Sequence, residues 1–169
     1  MQVNRFLVIE SERNLYTTIQ NCIDNHCLNR KEQQQNKEYI VEPIESSLIA
    51  FERLKSLFGE INFNPIDHTL VFVDLFLDDC DGLSLIEKLR NDYHGLKIVA
   101  FLPESSISTG ALENLELRNQ AESAGANAVL IAPFNLHEIV ASVSRLTEES
   151  AAPLATVKPT TVERSRTAV

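Results

Sequence analysis

The apolar residues of this 169-residue chain alternate between short β-prone runs and stripes at helical spacing. Phe6-Leu7-Val8-Ile9 predicts a first strand, and Leu15, Ile19 and Ile23 then predict a helix from about Asn14 to Ile23. The polar stretch 25–37, with Gln33-Gln34-Gln35, has no apolar period and reads as a loop. Tyr39-Ile40-Val41 predicts a short second strand ended by Pro43. Ser46 or Ser47 can cap a helix carrying Leu48, Phe51, Leu54 and Leu57, with Gly59 near its stop. Leu70-Val71-Phe72-Val73 predicts a third strand that stops at the carboxylate of Asp74. After a short acidic loop, Asp81-Gly82 opens a helix with Leu83, Leu85, Ile86 and Leu89. Lys97 to Leu102 predicts a fourth strand halted by Pro103. Ser105 to Ala124 reads as a loop and a fourth helix (Leu112, Leu115, Ala121, Ala124) ended by Gly125. Ala128 to Ile131 is a fifth strand, and Asn135 with Glu138 forms a reciprocal cap for a last helix bearing Leu136, Ile139, Val140, Val143 and Leu146.

Strand and helix patterns thus alternate five times, which calls for a parallel sheet covered on both faces with right-handed crossovers. The expected fold is α/β: a flavodoxin-like, doubly wound, five-stranded parallel sheet in the order 2-1-3-4-5 with helices on both faces. In such sheets ligands bind beyond the carboxyl ends of the strands, where Asp74 would stand. Apolar periodicity fades from Glu148 onward. The organisation predicted is one domain over residues 1–150 and a flexible tail over 151–169.

Composition narrows the function classes. A hydrophobic fraction of 44% and a charged fraction of 23% are those of a soluble globular protein. No apolar run approaches the ~20 residues that span a bilayer, and Phe6 to Ile9 is too short for a secretory core, so a cytoplasmic protein without membrane insertion is expected. Cys22, Cys27 and Cys80 are an odd set without framework spacing, which favours a reducing compartment. A net charge of −9 argues against direct nucleic-acid binding. The tail holds Lys158, Arg164 and Arg166 against Glu163, a net +2, which leaves −11 on the first 150 residues.

Three stretches in order resemble response-regulator receiver domains of the chemotaxis type. They are Arg5-Phe6-Leu7-Val8-Ile9-Glu10, the segment from Asp74 to Asp81-Gly82, and Ala124-Gly125-Ala126 followed by Pro133-Phe134. The resemblance covers roughly residues 4–147. It implies that Asp74 stands at the phosphoacceptor position, that Mg²⁺ would be held by acidic residues after the first strand together with Asp74, and that a hydroxyl and a lysine would bind the phosphoryl group. It also implies protein partners at the face made by the fourth helix, fifth strand and fifth helix, which in receivers also forms dimers, so a homodimer is one expectation and a histidine kinase another.

The chain departs from that pattern at nearly every supporting position. The acidic pair is Glu10 and Ser11, so Glu10 and Asp74 are left as weak Mg²⁺ ligands; Glu12 is aimed elsewhere. The hydroxyl position is Leu102, or Pro103 if shifted by one, with Ser105 and Ser106 a little further on. The lysine before Pro133-Phe134 is Ala132, and the aromatic switch position of the fifth strand is Val129. A phosphoryl group carries about two negative charges and needs compensating cations and donors. The chain therefore reads as an atypical, degenerate receiver acting as a phosphorylation-independent interaction module. Two alternatives stay open: a receiver still phosphorylated on Asp74 that relays or stores phosphoryl groups, and a small flavodoxin-like enzyme or nucleotide binder, against which the absence of a phosphate-binding loop counts. Cys22, His26 and Cys27 lack a second ligand pair at zinc-site spacing. Asp78, Asp79 and Asp81 read as a solvated acidic loop, with Mg²⁺ or Ca²⁺ binding as the alternative, and His68, His94 and His137 as exposed loop or helix-end residues.

Overall fold

A computed structural model describes residues 2–11, 16–22, 24–25, 37–59, 69–103, 110–133 and 136–149. Five strands form one parallel sheet in the order β2-β1-β3-β4-β5. They are β1 (Gln2–Ile9), β2 (Lys37–Ile44), β3 (Thr69–Asp74), β4 (Lys97–Leu102) and β5 (Ala128–Ile131). The helices are α1 (16–22 and 24–25), α2 (Ser47–Phe58), α3 (Gly82–Asp92), α4 (Ala111–Ala124) and α5 (Leu136–Glu149). The expected fold class and strand order are those observed. Cys27, the reciprocal cap at Asn135, residues 26–36, Ser105–Ser106 and the 151–169 tail lie outside the described residues; of the stretch 25–37 expected as a loop, Asn25 is helical and Lys37 begins β2.

Strand alternation divides the core in two. Leu7, Ile9, Val71, Val73, Ile98, Ala100 and Leu102 face one way, into a cluster completed by Leu54 and Leu57 of α2, Leu85 and Leu89 of α3 and Ala121 of α4. Phe6, Val8, Phe72, Phe101 and Leu130 face the other way, against Ile19 of α1 and Ile139, Val143 and Leu146 of α5. Among the described residues the fully buried phenylalanines, Phe6, Phe72 and Phe101, all lie on the α1–α5 side.

Two expectations about particular elements need correction. Pro43 does not end β2 but lies inside it, paired in register with Val8. β2 is an edge strand, and the Ile44 carbonyl points toward β1, where it accepts from the Glu10 N–H at 3.0 Å. The backbone of the residue before it points outward, so proline removes no ladder bond there. Leu112 and Leu115, read as core positions of α4, are 80% and 52% exposed, and only Ala121 and Ala124 of that helix are buried.

Caps behave as the residue types require. The Ser46 hydroxyl accepts from the Ile49 N–H, and the Asp81 carboxylate accepts from the Leu83 and Ser84 N–H groups, starting α2 and α3. Gly125 ends α4 at φ +117°, a left-handed conformation that favours glycine.

Glu42 on β2 ties the edge to its neighbours, accepting from Arg5 Nη1 at 2.9 Å and from Arg53 Nε and Nη2 at 2.6 and 2.8 Å. Hydrogen bonding from Arg53, supported by both guanidinium charges, holds its carboxyl below the usual value of 4.5 despite partial burial. A pKa lower in the folded than in the unfolded chain gives stability that is complete above the unfolded value and is lost as pH falls through the folded one. Glu42→Gln should therefore lower stability by about 1 kcal/mol near neutral pH. The gap in thermal midpoint between the two proteins should close as the pH is taken well below 4.5. A gap that widens in acid would contradict this account.

Candidate functional site

Register places the singled-out residues along one rim. Ile9 pairs with Val73, so Glu10 stands level with Asp74 just beyond β1. Asp74 pairs with Phe101, and Leu102 with Ile131, so Leu102 and Ala132 follow on the next two strands. The Ala132 N–H donates to the Leu102 carbonyl at 3.0 Å, closing that end of the rim. The structure thus places Asp74, Glu10, Ser11, Leu102 and Ala132 together at the carboxyl edge of the sheet, where α/β ligand sites form.

Both acids are buried, Asp74 at 5% and Glu10 at 4% exposed. One oxygen of each accepts from the backbone. Asp74 Oδ1 accepts from the Phe76 N–H at 2.8 Å, and Glu10 Oε1 accepts from the Tyr16 N–H, at the start of α1, at 2.6 Å. The Ser11 hydroxyl accepts from the Asp78 N–H at 2.8 Å and so joins the end of β1 directly to the loop after β3.

That loop is fixed at further points. The Leu75 N–H donates to the Phe101 carbonyl, the Gly82 N–H donates to the Leu75 carbonyl, and Phe76 and Asp81 form an isolated antiparallel bridge. Asp79 Oδ2 accepts from both the backbone N–H and the hydroxyl of Ser47, at 2.7 and 2.6 Å. The Ser47 hydroxyl is the main cause holding the Asp79 carboxyl below its ordinary range. Asp78, Asp79 and Asp81 are exposed, as expected of a solvated acidic run, while Asp79 also fastens the loop to the first turn of α2 and Asp81 caps α3. No local spacing signals the Asp79–Ser47 pair, because its members are 32 residues apart.

These observations test whether the rim fits a magnesium ion. Mg²⁺ demands near-octahedral oxygen ligands at short range and is usually bound through carboxylates. Here Ser11 supplies no charge, and its oxygen accepts from a backbone N–H. No group of three or more His, Cys, Asp or Glu residues is placed to hold a metal among the described residues. Among the described residues the rim thus offers two buried carboxylates, Glu10 and Asp74, one oxygen of each already accepting from the backbone, which is a sparse donor set for the ion. Leu102 offers no hydroxyl; its side chain is fully buried in the core beneath α2, α3 and α4, as is most of Val129. Ala132, also buried, offers no cation. Cys22 is a buried free thiol whose pKa is raised by burial, in keeping with a core residue. His94 and His137 are exposed.

No family model matches the chain, and no curated protein does. Solved structures do. The receiver domain of NtrX from Brucella abortus superposes with a TM-score of 0.60 at 17% identity, over 85% of this chain and 98% of that one. A CheY-like response regulator receiver domain protein from Methanospirillum hungatei JF-1 gives 0.59 at 21% identity, over 89% and 98%. The beryllofluoride-activated NtrC4 receiver domain dimer gives 0.62 at 16% identity, over 86% and 98%. The chain has the fold of these domains, and no described helix is long and apolar enough to cross a membrane.

Proposed function

Starting from that shared fold, we propose that the chain is an atypical receiver that works in two-component-type signalling as a protein-interaction module, without phosphorylation of Asp74. One observation carries the reading: the loop after β3 is held by direct protein hydrogen bonds, from Asp78 to Ser11 and from Ser47 to Asp79, with no cation or hydroxyl at Ala132 and Leu102 to receive a phosphoryl group. Phosphoryl transfer relies on preorganised positive charge at the oxygens that develop charge. With those groups missing, neither the transition state nor the product would be stabilised. The module would then keep one conformation and bind its partner constitutively.

Exposed Leu112 and Leu115 on α4 support a contact surface that includes this helix, adjoining the face of α4, β5 and α5. The proposed setting is the cytoplasm, with a histidine kinase or another signalling protein as partner and a homodimer as a further form. No residue is assigned a catalytic role. Retention of a buried aspartate at the end of β3 favours one second reading, a receiver that still accepts a phosphoryl group on Asp74 and relays or stores it.

One experiment separates the two. Incubation with Mg²⁺ and a small acyl-phosphate donor should leave the intact mass unchanged, and Mg²⁺ titration should show no sub-millimolar binding. A gain of one phosphoryl group that is absent from Asp74→Asn, or tight Mg²⁺ binding lost in the same variant, would establish the second reading.

A further inference from the structure

Between α3 and α4 runs a shallow groove made of two adjoining depressions, of about 390 and 530 Å³, which share Asp81 and Leu83. Every charged side chain on its walls is a carboxylate: Asp78, Asp79, Asp81, Glu87 and Glu116, with no lysine or arginine among the described lining residues. The floor of the first depression is apolar, with Leu83 and Leu117 half-buried there, whereas Ser84, Asn119, Gln120 and Ser123 line the second. At one end Phe76 is 45% exposed, and Leu112, one helical turn before Glu116, is 80% exposed. Apolar anchors inside a rim of one charge specify an occupant more closely than either feature alone.

We infer that this groove seats a basic amphipathic helix of a partner protein, with one or two apolar side chains inserted between Lys or Arg residues that face Glu87 and Glu116. Carboxylates gathered along a concave surface raise the negative potential there and draw in cationic segments. The same field repels nucleic acid, anionic membrane and a second copy of this chain, whose own charge is −9. Dimensions suit a short helical stretch: the lining reaches from Asp81 to Glu87 and from Glu116 to Ala124, so the walls run roughly 10–14 Å and match about two helical turns. Helix-in-groove recognition is read through apolar anchors at i and i+3 or i+4, the spacing such a trough accepts. The inference names the partner chemistry of the interaction module proposed above and rests on that reading. Phosphorylation assays bear on that reading alone, and the groove is tested by the binding experiment below.

The probe is a fluorescent synthetic peptide of Lys and Leu in amphipathic helical order, titrated into the full chain at low and moderate salt. Binding should weaken with salt, and an acidic peptide of the same apolar pattern should not bind. Glu87→Lys/Glu116→Lys should weaken the basic peptide about tenfold or more, and Glu87→Gln/Glu116→Gln should weaken it less. The charge-matched control Glu52→Lys/Asp24→Lys, at exposed positions away from the groove, should change affinity less than about twofold. Amide exchange should slow along 81–87 and 112–123 when the peptide binds. Equal losses in the two Lys variants would mean unspecific charge attraction and overturn the proposal. So would absence of binding, protection elsewhere, or a dimer of the chain alone that Glu87→Lys/Glu116→Lys dissolves. Thermal midpoints of all variants confirm folding, and the Gln pair carries the test if the Lys pair fails to fold.

Discussion

Gly82→Ala is expected to cost about 3 kcal/mol and to lower the thermal midpoint by roughly 6–12 °C for a chain of this size. A Cβ built on Gly82 would lie 2.5 Å from the Cα of Leu75 and in still closer collision with the Asp74 carbonyl oxygen. Both are backbone atoms at the end of β3, so neither can swing aside as a side chain would. Relief requires the start of α3 to lift away from the strand. That movement breaks the Gly82–Leu75 hydrogen bond and the Phe76–Asp81 bridge together. Amide exchange at Phe76 and Gly82 should therefore quicken more than exchange in the core strands. Gly59→Ala is the matched control: Gly59 has φ −89° and its added Cβ would make only ordinary contacts, so stability should change by about 0.5 kcal/mol or less. A Gly82→Ala protein as stable as wild type would show that the strand–helix junction yields more easily than its geometry allows.

The second large effect is expected at Arg90. Its guanidinium donates to the Gly125 carbonyl through Nε and Nη2, to the Leu96 carbonyl through Nη1 at 2.8 Å, and to Asn127 Oδ1 through Nη2 at 2.9 Å. Asn127 Oδ1 also accepts from the Ile98 N–H, so one cation links the end of α3, the start of β4 and the turn into β5. Arg90→Ala strands these acceptors and should destabilise by roughly 3 kcal/mol, since hydrogen bonds to charged groups are each worth about 1.5–3 kcal/mol. Arg90→Lys should recover less than half of that, because an ammonium lacks the planar fork that spans several carbonyls at once. Denaturant midpoints of the three proteins at one pH decide it. Full rescue by lysine would reduce the link to a simple charge effect.

How far the sequence could be read depended on whether the deciding contact was local. β3 ended at Asp74 and α3 began after Asp81 as expected, because a buried strand and a capped helix each carry their own signal within a few residues. The rim positions followed from the same signals, since strand ends in register bring Glu10, Asp74, Leu102 and Ala132 to one edge. Pro43 misled because a proline ends a strand only where its neighbour needs a donor, and nothing local marks β2 as the outermost strand. Leu112 and Leu115 had the spacing of a core stripe, yet the helix turns them outward and fills its contact with Ala121 and Ala124. The tie between Asp79 and Ser47 was invisible for the opposite reason: it joins two capping-type residues across 32 positions and has no pattern to read.

Pro43 has a consequence for how this protein behaves when crowded. An open parallel sheet ends in exposed backbone, and such an edge can template the addition of a strand from another molecule and seed a fibril. Near the carboxyl end of β2 one outward position is Pro43, which has no hydrogen to give and is itself exposed. A docking strand would meet a missing rung there, beside the Glu42 carboxylate held by its two arginines. Pro43→Val should leave the folded sheet nearly intact while shortening the lag before turbidity on prolonged shaking.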